Sequence, residues 1–410
     1  MRKRTNWIIG IFLFSVFLFG CLSPIQAEEI VIGALSDLTG PTAAGVGEDF
    51  AWGINDYWRY VNEEKGGIKG RKVKLLLTDH QYKPPVGLAA IKKFAARDKA
   101  VAILLYGAGD TPTYKPTFLE IKIPGIAAQS TNCTNKYIYI AQGTYTVECW
   151  GAMDLIKKTH KGPGKPKMAL LVLPNVFGRS VVPGAKWYAE KIGIDLAVIE
   201  DVSPRIIDAK PILLRLKAKG VQYIYHNNVA RPVATFLKDA MAIGYDVKQS
   251  GMSYCGESVL FKLAGESIDG FVSCTAFSPF HEKNMDFPRK LVKMYRGGHT
   301  PTTTYGASVV RSMIFEEAIK RALDKHGKVN GELVNKEMEG FKDFSVGGIL
   351  PNITYGPDRR VASFSKKLLK ADWGTKRFSS ITDFFMPMGL EGMDLVGVER
   401  MLEKFERPKK

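Results

Sequence analysis

The sequence has few of the residues and motifs on which metal binding and catalysis usually depend. Its 410 residues include six histidines and five cysteines, and no two cysteines form a CxxC pair, so a zinc site is not expected. No GxxxxGK[ST], HExxH or GxSxG motif occurs. The nearest stretch, Gly251–Cys255, has cysteine where the second glycine of a nucleophile elbow belongs. We therefore predict a protein that is not an enzyme, with no cofactor and no metal.

Long apolar runs are also scarce. The longest, Trp7–Gly20, follows three basic residues and is shorter than a bilayer span requires. This layout is typical of a secretory signal peptide, so residues 1–27 are predicted to be removed and the mature chain to enter the periplasm without a membrane span. Cleavage after Ala27 is the favoured interpretation. Processing at Cys21, which would attach a lipid anchor, is the alternative.

Acidic residues are outnumbered, since 58 Lys and Arg stand against 41 Asp and Glu, a formal net charge of +17. Loss of the leader removes three of these charges and leaves +14. An excess of this size attracts anionic ligands or membrane headgroups. The basic residues are nevertheless spread along the chain, which favours an ordinary solvated surface, and no nucleic-acid-binding module is visible.

Few cysteines remain in the mature chain, namely Cys133, Cys149, Cys255 and Cys274. Disulfides persist in an oxidising compartment, and four cysteines allow three pairings among which sequence cannot choose. Buried free thiols are the alternative, and both interpretations stay open.

The clearest pattern that is present lies near the front of the chain. Ile30–Leu35 predicts a buried strand, Ser36–Gly47 a loop, and Val73–Thr78 a second strand. Between loop and second strand, apolar residues recur at helical spacing until Gly66-Gly67 ends the helix. They are Phe50, Ile54, Trp58 and Val61. This β-α-β unit is the repeat of a parallel sheet covered by helices, whose ligands bind at the carboxyl ends of the strands.

The same pattern continues along the chain. A helix over Pro84–Ala96 and a strand over Ala100–Leu105 are followed by the loop Tyr106–Thr111, which leads into a helix with Pro112 at its start. The next strand is predicted over Ile121–Ala128. Free N–H groups there would suit an anion, which makes Gly109 and Asp110 candidates for ligand binding. A nucleotide site is not predicted, because Gly107 and Gly109 lack the third glycine of the fingerprint.

The order of glycines and other residues in this first unit resembles the order found at the start of the periplasmic substrate-binding proteins of branched-chain amino-acid ABC transporters. The matching residues are Leu38, Thr39, Gly40, Pro41, Gly45, Gly53, Gly66, Gly67, Ile68, Gly70 and Asp79. Weaker matches, such as Leu263–Phe271 and Gly348–Asp358, extend the resemblance over nearly the whole mature chain, and Gly348–Asp358 is expected to form a C-terminal strand region. Thr303–Leu323 predicts a long helix that fits the family's returning segment, whereas Gly389–Lys410 is an extension without an assigned role.

The resemblance implies an α/β fold with two doubly wound three-layer lobes joined by a three-strand hinge. The first lobe is expected at 28–146 plus 278–345 and the second at 147–277 plus 346–400. Residues 401–410 are expected to form a basic C-terminal tail.

The resemblance also implies where a ligand is held. Gln129, Ser130 and Thr131 match the segment whose hydroxyl and N–H groups bind the ligand's carboxylate in the family. Read alone, this Ser/Thr/Asn run is equally a turn or a helix cap. The further residues expected at the site are Gly109, Asp110, Phe177, Asn227, Asn228, Ser253 and Tyr254. His226 is interpreted as a hydrogen-bonded structural residue.

The function that follows from the resemblance is capture of a small ligand between the lobes and delivery to the permease subunits of an ABC importer, by a monomer. The ligand is expected to be an amino acid or a similar small carboxylate or amide. It stays open because the loop near Ser253 and Tyr254 has no carboxylate before Glu257 to hold an ammonium, and because Val46 replaces an expected aromatic residue. A ligand-sensing domain of a membrane receptor and a secreted α/β enzyme are the alternatives.

Overall fold

The computed structural model of the protein describes residues 28–406 apart from Ala128, and excludes the side chains of Ala44 and Gly45. The predicted signal peptide, Cys21 and residues 407–410 of the predicted tail lie outside the described residues. The strands are β1 Ile30–Ser36, β2 Val73–Asp79, β3 Ala102–Leu104, β4 Gly125–Ala127, β5 Ile138–Ile140, β6 Lys167–Val172, β7 Asp195–Asp201, β8 Tyr223–Asn227, β9 Lys248–Gly251, β10 Val272–Thr275, β11 Lys367–Asp372 and β12 Arg377–Ser380. The helices are α1 Glu48–Glu64, α2 Pro84–Ala96, α3 Thr111–Ile121, α4 Tyr145–Thr159, α5 Val176–Arg179, α6 Val182–Ile192, α7 Lys210–Ala218, α8 Ala230–Ala242, α9 Val259–Ala264, α10 Asp286–Tyr295, α11 Thr303–His326, α12 Gly331–Glu339 and α13 Leu395–Glu406.

The first lobe is built on a parallel sheet of five strands in the order β2-β1-β3-β4-β5. Alternate residues of β1 and β3 face opposite sides of this sheet. Ile32 and Leu104 pack in the core shared with α1 and α11, whereas Leu35 and Ile103 pack in the core shared with α2 and α3. The helices therefore cover both faces of the sheet, as the apolar β-strands require.

The second lobe is built on a sheet of seven strands in the order β12-β11-β10-β9-β8-β6-β7. Strands β6 to β10 pair in parallel, and β11 and β12 add antiparallel strands at one edge. Leu171 faces the core with α7 and α8, and Leu170 faces the core with α4 and α6. Each lobe is therefore a three-layer α/β/α unit, which confirms the predicted fold class.

The chain passes between the two sheets three times, after β5, after β10 and after α12. The third crossing lies later than the expected boundary at residue 346. Ile349, Ile353 and Tyr355 pack in the same core as Ile32 and Phe50 of the first lobe, so the return to the second lobe begins after Ala362.

Three sequence expectations differ from the structure. The segment 348–358 was expected to be a strand region, but among the described residues it forms only isolated bridges, such as Phe344 with Ile353. The strand expected from Ile121 begins at Gly125, because α3 continues to Ile121. Residues 401–406 of the expected tail belong to α13, which packs against α6.

The four cysteines of the described chain are free and buried. The sequence left disulfides and buried free thiols open, and the structure contains buried free thiols. Burial raises the pKa of Cys149 and of Cys274 above the usual range of a thiol. Thiols of this kind behave as small apolar side chains.

Candidate functional site

The loop after β1 is shaped by two carboxylates of the first lobe. Asp37 accepts hydrogen bonds from Gly40 N at 2.6 Å and from Thr42 N at 2.8 Å. Asp79, at the end of β2, accepts from Leu38 N at 2.9 Å. A Cβ on Gly47 would lie 1.7 Å from the Asp37 carbonyl oxygen, so only glycine fits there. These contacts explain the glycines and acids of the front motif as loop-building residues at the carboxyl ends of the strands.

Asp110, one of the predicted ligand residues, is engaged within the first lobe. Its carboxylate caps α3 by accepting from Thr111 N at 2.9 Å, and it lies 2.8 Å from His80 Nε2. Burial opposes protonation of His80, but the bond to Asp110 raises the pKa of this imidazole. The N–H of Gly109, the neighbouring candidate, donates to Tyr82 Oη at 3.1 Å. Both residues therefore lie at the carboxyl ends of the strands of the first sheet. The Asp110 carboxylate and the Gly109 N–H are already hydrogen-bonded to neighbouring groups of the protein.

Gln129 and Ser253 were predicted from opposite lobes, and the structure brings them together. Gln129 follows β4 and Ser253 follows β9; Ser253 Oγ lies 3.5 Å from Gln129 Oε1. Both also bind Glu148 in the first turn of α4, Gln129 Nε2 donating at 2.6 Å and Ser253 N at 3.0 Å. Burial raises the pKa of Glu148. These contacts join the two lobes where the carboxyl ends of both sheets meet, and this region is called the interlobe cleft.

Ser130 and Thr131, the predicted carboxylate-binding residues, hold a carboxylate of the protein itself. Oε2 of Glu406, the last described residue of α13, accepts from Ser130 Oγ at 3.0 Å, Thr131 N at 2.7 Å and Thr131 Oγ1 at 2.8 Å. Its Oε1 accepts from Thr146 Oγ1 at 2.7 Å. A ligand carboxylate could reach these donors only if Glu406 withdrew. The chemistry expected of this run is therefore present, but in this structure its partner is internal.

The remaining predicted residues lie on the second lobe. Asn227 Nδ2 donates to Gly178 O at 2.9 Å and so fixes the short helix α5 that carries Phe177. Among the described residues, Asn227 Oδ1 and Asn228 Nδ2 are buried without a hydrogen-bond partner. The neighbouring His226 is buried and bonded to Gln249 at 2.8 Å, as a structural residue would be.

Aromatic rings from both lobes surround this part of the cleft. The ring of Tyr145 lies 5.0 Å from Phe177 and 6.1 Å from Tyr254 on the second lobe. On the first lobe, Tyr82 and Tyr106 are edge-to-face at 5.7 Å. Burial raises the pKa of Tyr254, and the nearby charge of Arg311 opposes this shift.

Sequence reasoning missed four charged or aromatic residues of the cleft, namely Tyr145, Glu148, Arg311 and Glu406. Arg311 gives a visible signal, because it interrupts the apolar pattern of Thr303–Leu323. Glu406 gives none, because it meets Thr131 across 275 positions of sequence. No group of His, Cys, Asp and Glu side chains suited to a metal ion occurs within the part of the chain that the structure describes.

A two-lobed α/β fold with a polar cleft between the lobes defines a class of ligand-binding proteins. The periplasmic binding protein family model matches residues 29–364, and the chain belongs to that family. In the described range, no helix has the length and apolar character needed to cross a membrane.

Comparisons with individual proteins agree. The Leu/Ile/Val-binding protein homolog 1 of Brucella suis is 23% identical over 319 residues, covering 76% of this chain and 83% of that protein. The leucine-, isoleucine-, valine-, threonine- and alanine-binding protein of Pseudomonas aeruginosa is 22% identical over 280 residues, covering 67% and 73%. The crystal structure of a branched-chain amino-acid ABC transporter protein from Thermus thermophilus with bound valine superposes with a TM-score of 0.80 at 25% identity, covering 90% of this chain and 99% of that one.

Proposed function

We propose that this protein captures a small solute in the interlobe cleft and delivers it to the permease subunits of an ABC importer. The observation that carries the proposal is the meeting of Gln129 and Ser253 across the cleft, since residues from the carboxyl ends of both sheets then close on the same space. The solute-binding names of the relatives, and the valine bound to the Thermus protein, support this function over catalysis.

In this proposal the two lobes rotate about the three crossings, and the ligand stabilises the closed arrangement because it touches both lobes. Phe177, Asn227, Asn228 and Tyr254 contact the solute from the second lobe. Gln129, Ser130 and Thr131 order the facing edge of the first lobe through Glu148 and Glu406. The protein acts as a periplasmic monomer after cleavage behind Ala27, with lipidation at Cys21 as the alternative.

The ligand in this proposal is an amino acid or a similar small carboxylate or amide. Native mass spectrometry of the protein as purified would identify a retained solute, and calorimetric titration of the stripped protein would measure its affinity. Saturable binding of one solute with one site per chain is the expected result. Turnover of that solute would instead favour a secreted enzyme, and the absence of binding across amino acids, carboxylates and amides would refute the proposal.

A further inference from the structure

Arg311, on α11, is a buried cation whose charge has no acidic partner. Its side chain is 2% exposed. Its hydrogen bonds go to neutral oxygens: Nη1 donates to Leu105 O at 3.0 Å, and Nε and Nη2 donate to Gln142 Oε1 at 3.4 and 3.2 Å. Within residues 28–406, as described, it forms no ion pair. Burying an ionised group in this way is costly unless an opposite charge joins it.

The position of Arg311 is at the cleft. Leu105 lies at the carboxyl end of β3, and Gln142 lies on the first crossing between the lobes. The charge of Arg311 interacts with Tyr254 and Tyr145 of the second lobe. On its own lobe, the guanidinium lies 5.0 Å from the ring centre of Phe50, which in turn contacts Tyr106. Aromatic residues of both lobes therefore surround the cation.

The other charged groups of the cleft already have partners. Lys366 donates to Gln142 O at 2.8 Å, and Glu148 and Glu406 provide negative charge near it. Glu148 is held by Gln129 and Ser253, and Glu257 accepts from Thr303 N at 3.2 Å. Among the described charged residues named here, Arg311 is therefore the cation without an acidic partner, and the carboxylates already accept hydrogen bonds from the protein.

Two amide atoms on the facing lobe are also left without a partner. Asn227 Oδ1 and Asn228 Nδ2 are buried without a hydrogen-bond partner among the described residues, and both amino acids are fully buried. Buried amide groups are normally hydrogen-bonded. Asn227 lies beside Phe177, whose ring contacts Tyr145.

We propose that Arg311 binds the carboxylate of the ligand, and that this ligand is a monocarboxylate with an apolar or aromatic body and no ammonium group. The inference rests on the proposed solute-binding function and narrows its ligand class. A guanidinium has five N–H donors in a planar fork that suits a carboxylate. Closing the lobes around such a ligand gives Arg311 the negative charge that its own surroundings lack.

Two series of probes separate the groups that matter. The aromatic series is 3-phenylpropanoate, 3-phenylpropanamide and L-phenylalanine; the aliphatic series is 3-methylbutanoate, 3-methylbutanamide and L-valine. In at least one series the carboxylate should bind at least about tenfold more tightly than both the amide and the amino acid. Titration calorimetry on the mature protein measures all six affinities.

The variants are Arg311→Gln and Arg311→Lys, with Lys320→Gln as the matched control. Lys320 lies on the same helix with its side chain 50% exposed. Arg311→Gln should weaken carboxylate binding about 10- to 100-fold and abolish the preference over the amide, because a charge-assisted bond is lost. Arg311→Lys should retain the preference for the carboxylate, and Lys320→Gln should bind like the parent protein. Thermal unfolding checks that each variant is folded, and should Arg311→Gln not fold, the affinities of the parent protein for the six probes decide.

Each other outcome has a defined meaning. If in neither series the carboxylate binds about tenfold more tightly than both its amide and its amino acid, or if the Arg311→Gln variant binds carboxylate like the parent, the role of Arg311 is overturned while solute binding is left intact. Failure of all six probes also overturns it. Only when broader screening for a retained solute fails as well does the proposed function fall with it.

Discussion

Replacing Glu406 should show whether Ser130 and Thr131 bind this internal carboxylate or the carboxylate of a ligand. Glu406 is 4% exposed, and four donors converge on its two oxygens. Glu406→Ala removes the acceptor from all four. The hydroxyls of Ser130, Thr131 and Thr146 can rotate towards other acceptors, but the backbone N–H of Thr131 cannot. An unsatisfied buried donor costs about 1–3 kcal/mol.

The loss of unfolding free energy for Glu406→Ala should therefore be about 2–4 kcal/mol, if one hydroxyl is stranded together with the N–H. Glu406→Gln keeps an acceptor oxygen, so about 1 kcal/mol is expected. Urea unfolding followed by fluorescence measures both. Lys404→Ala, at an exposed position of the same helix, is the control and should change stability by less than about 0.5 kcal/mol.

Thr131→Val completes this test, because it removes one hydroxyl and nearly keeps the shape of the side chain. With Glu406 as the resident partner, the variant should lose about 1.5–3 kcal/mol of stability and keep its ligand affinity. The carboxylate-binding role that the resemblance implies for Ser130 and Thr131 would give the opposite result: dissociation constants about tenfold to a hundredfold higher for Thr131→Val and Ser130→Ala, with folding unaffected. If affinity falls in this way while the stability of Thr131→Val and Glu406→Ala is unchanged, the ligand and not Glu406 takes these donors.

Three further measurements test other features. Burial raises the pKa of Glu257 to about 7, so the folded state binds a proton that the unfolded state releases; stability should fall as pH rises from about 4.5 to about 7, and Glu257→Gln should remove that part of the slope. A flat profile in the parent protein would contradict this pKa. The four buried thiols should react with a thiol reagent only after denaturation, and rapid labelling of the folded protein would show that they are accessible. Solution scattering should give a smaller radius of gyration with saturating ligand, and an unchanged radius with proven binding would exclude closure of the lobes.

The front of the fold was readable from sequence because local signals agree there. The strand predicted over Ile30–Leu35 is observed over Ile30–Ser36, and the helix predicted over Pro84–Ala96 has those bounds. A proline pair fixes the start of that helix, and continuous apolar residues fix the buried strand. Where propensity, periodicity and turn residues point to one structure, little depends on distant contacts.

The segment 348–358 shows why a family-like pattern was insufficient at the back of the chain. Gly347 and Gly348 adopt positive φ angles of 71° and 75°, which interrupts an extended chain, and Pro351 has no N–H to donate to a ladder. Its apolar side chains instead fill the core of the first lobe. The tail expected over residues 401–410 differs for another reason. That expectation used only the charge of the segment and overlooked the helical spacing of the apolar residues Val398, Leu402 and Phe405.

Candidate site residues could be nominated from sequence, but their hydrogen-bond partners could not. Parallel strands place the loops after β4 and β9 at the cleft, so Gln129 and Ser253 could be nominated from topology. Which donors remain for a ligand depends on partners far away in sequence, since Glu406 lies 275 positions from Thr131. No local pattern reports such a contact.

These charges connect ligand identity with closure of the lobes. Glu148 and Glu406 satisfy the donors expected to bind a carboxylate, and both lie near the charge of Lys366. Within the described range, Arg311 has neutral hydrogen-bond partners only. In the proposed mechanism, opening of the lobes lets water solvate its guanidinium, and closure removes that water. Because a ligand shifts a conformational equilibrium only by its differential affinity for the two states, an anion at Arg311 favours closure more than an equally shaped neutral solute. Selectivity for charge and commitment to the closed state then arise from the same contact.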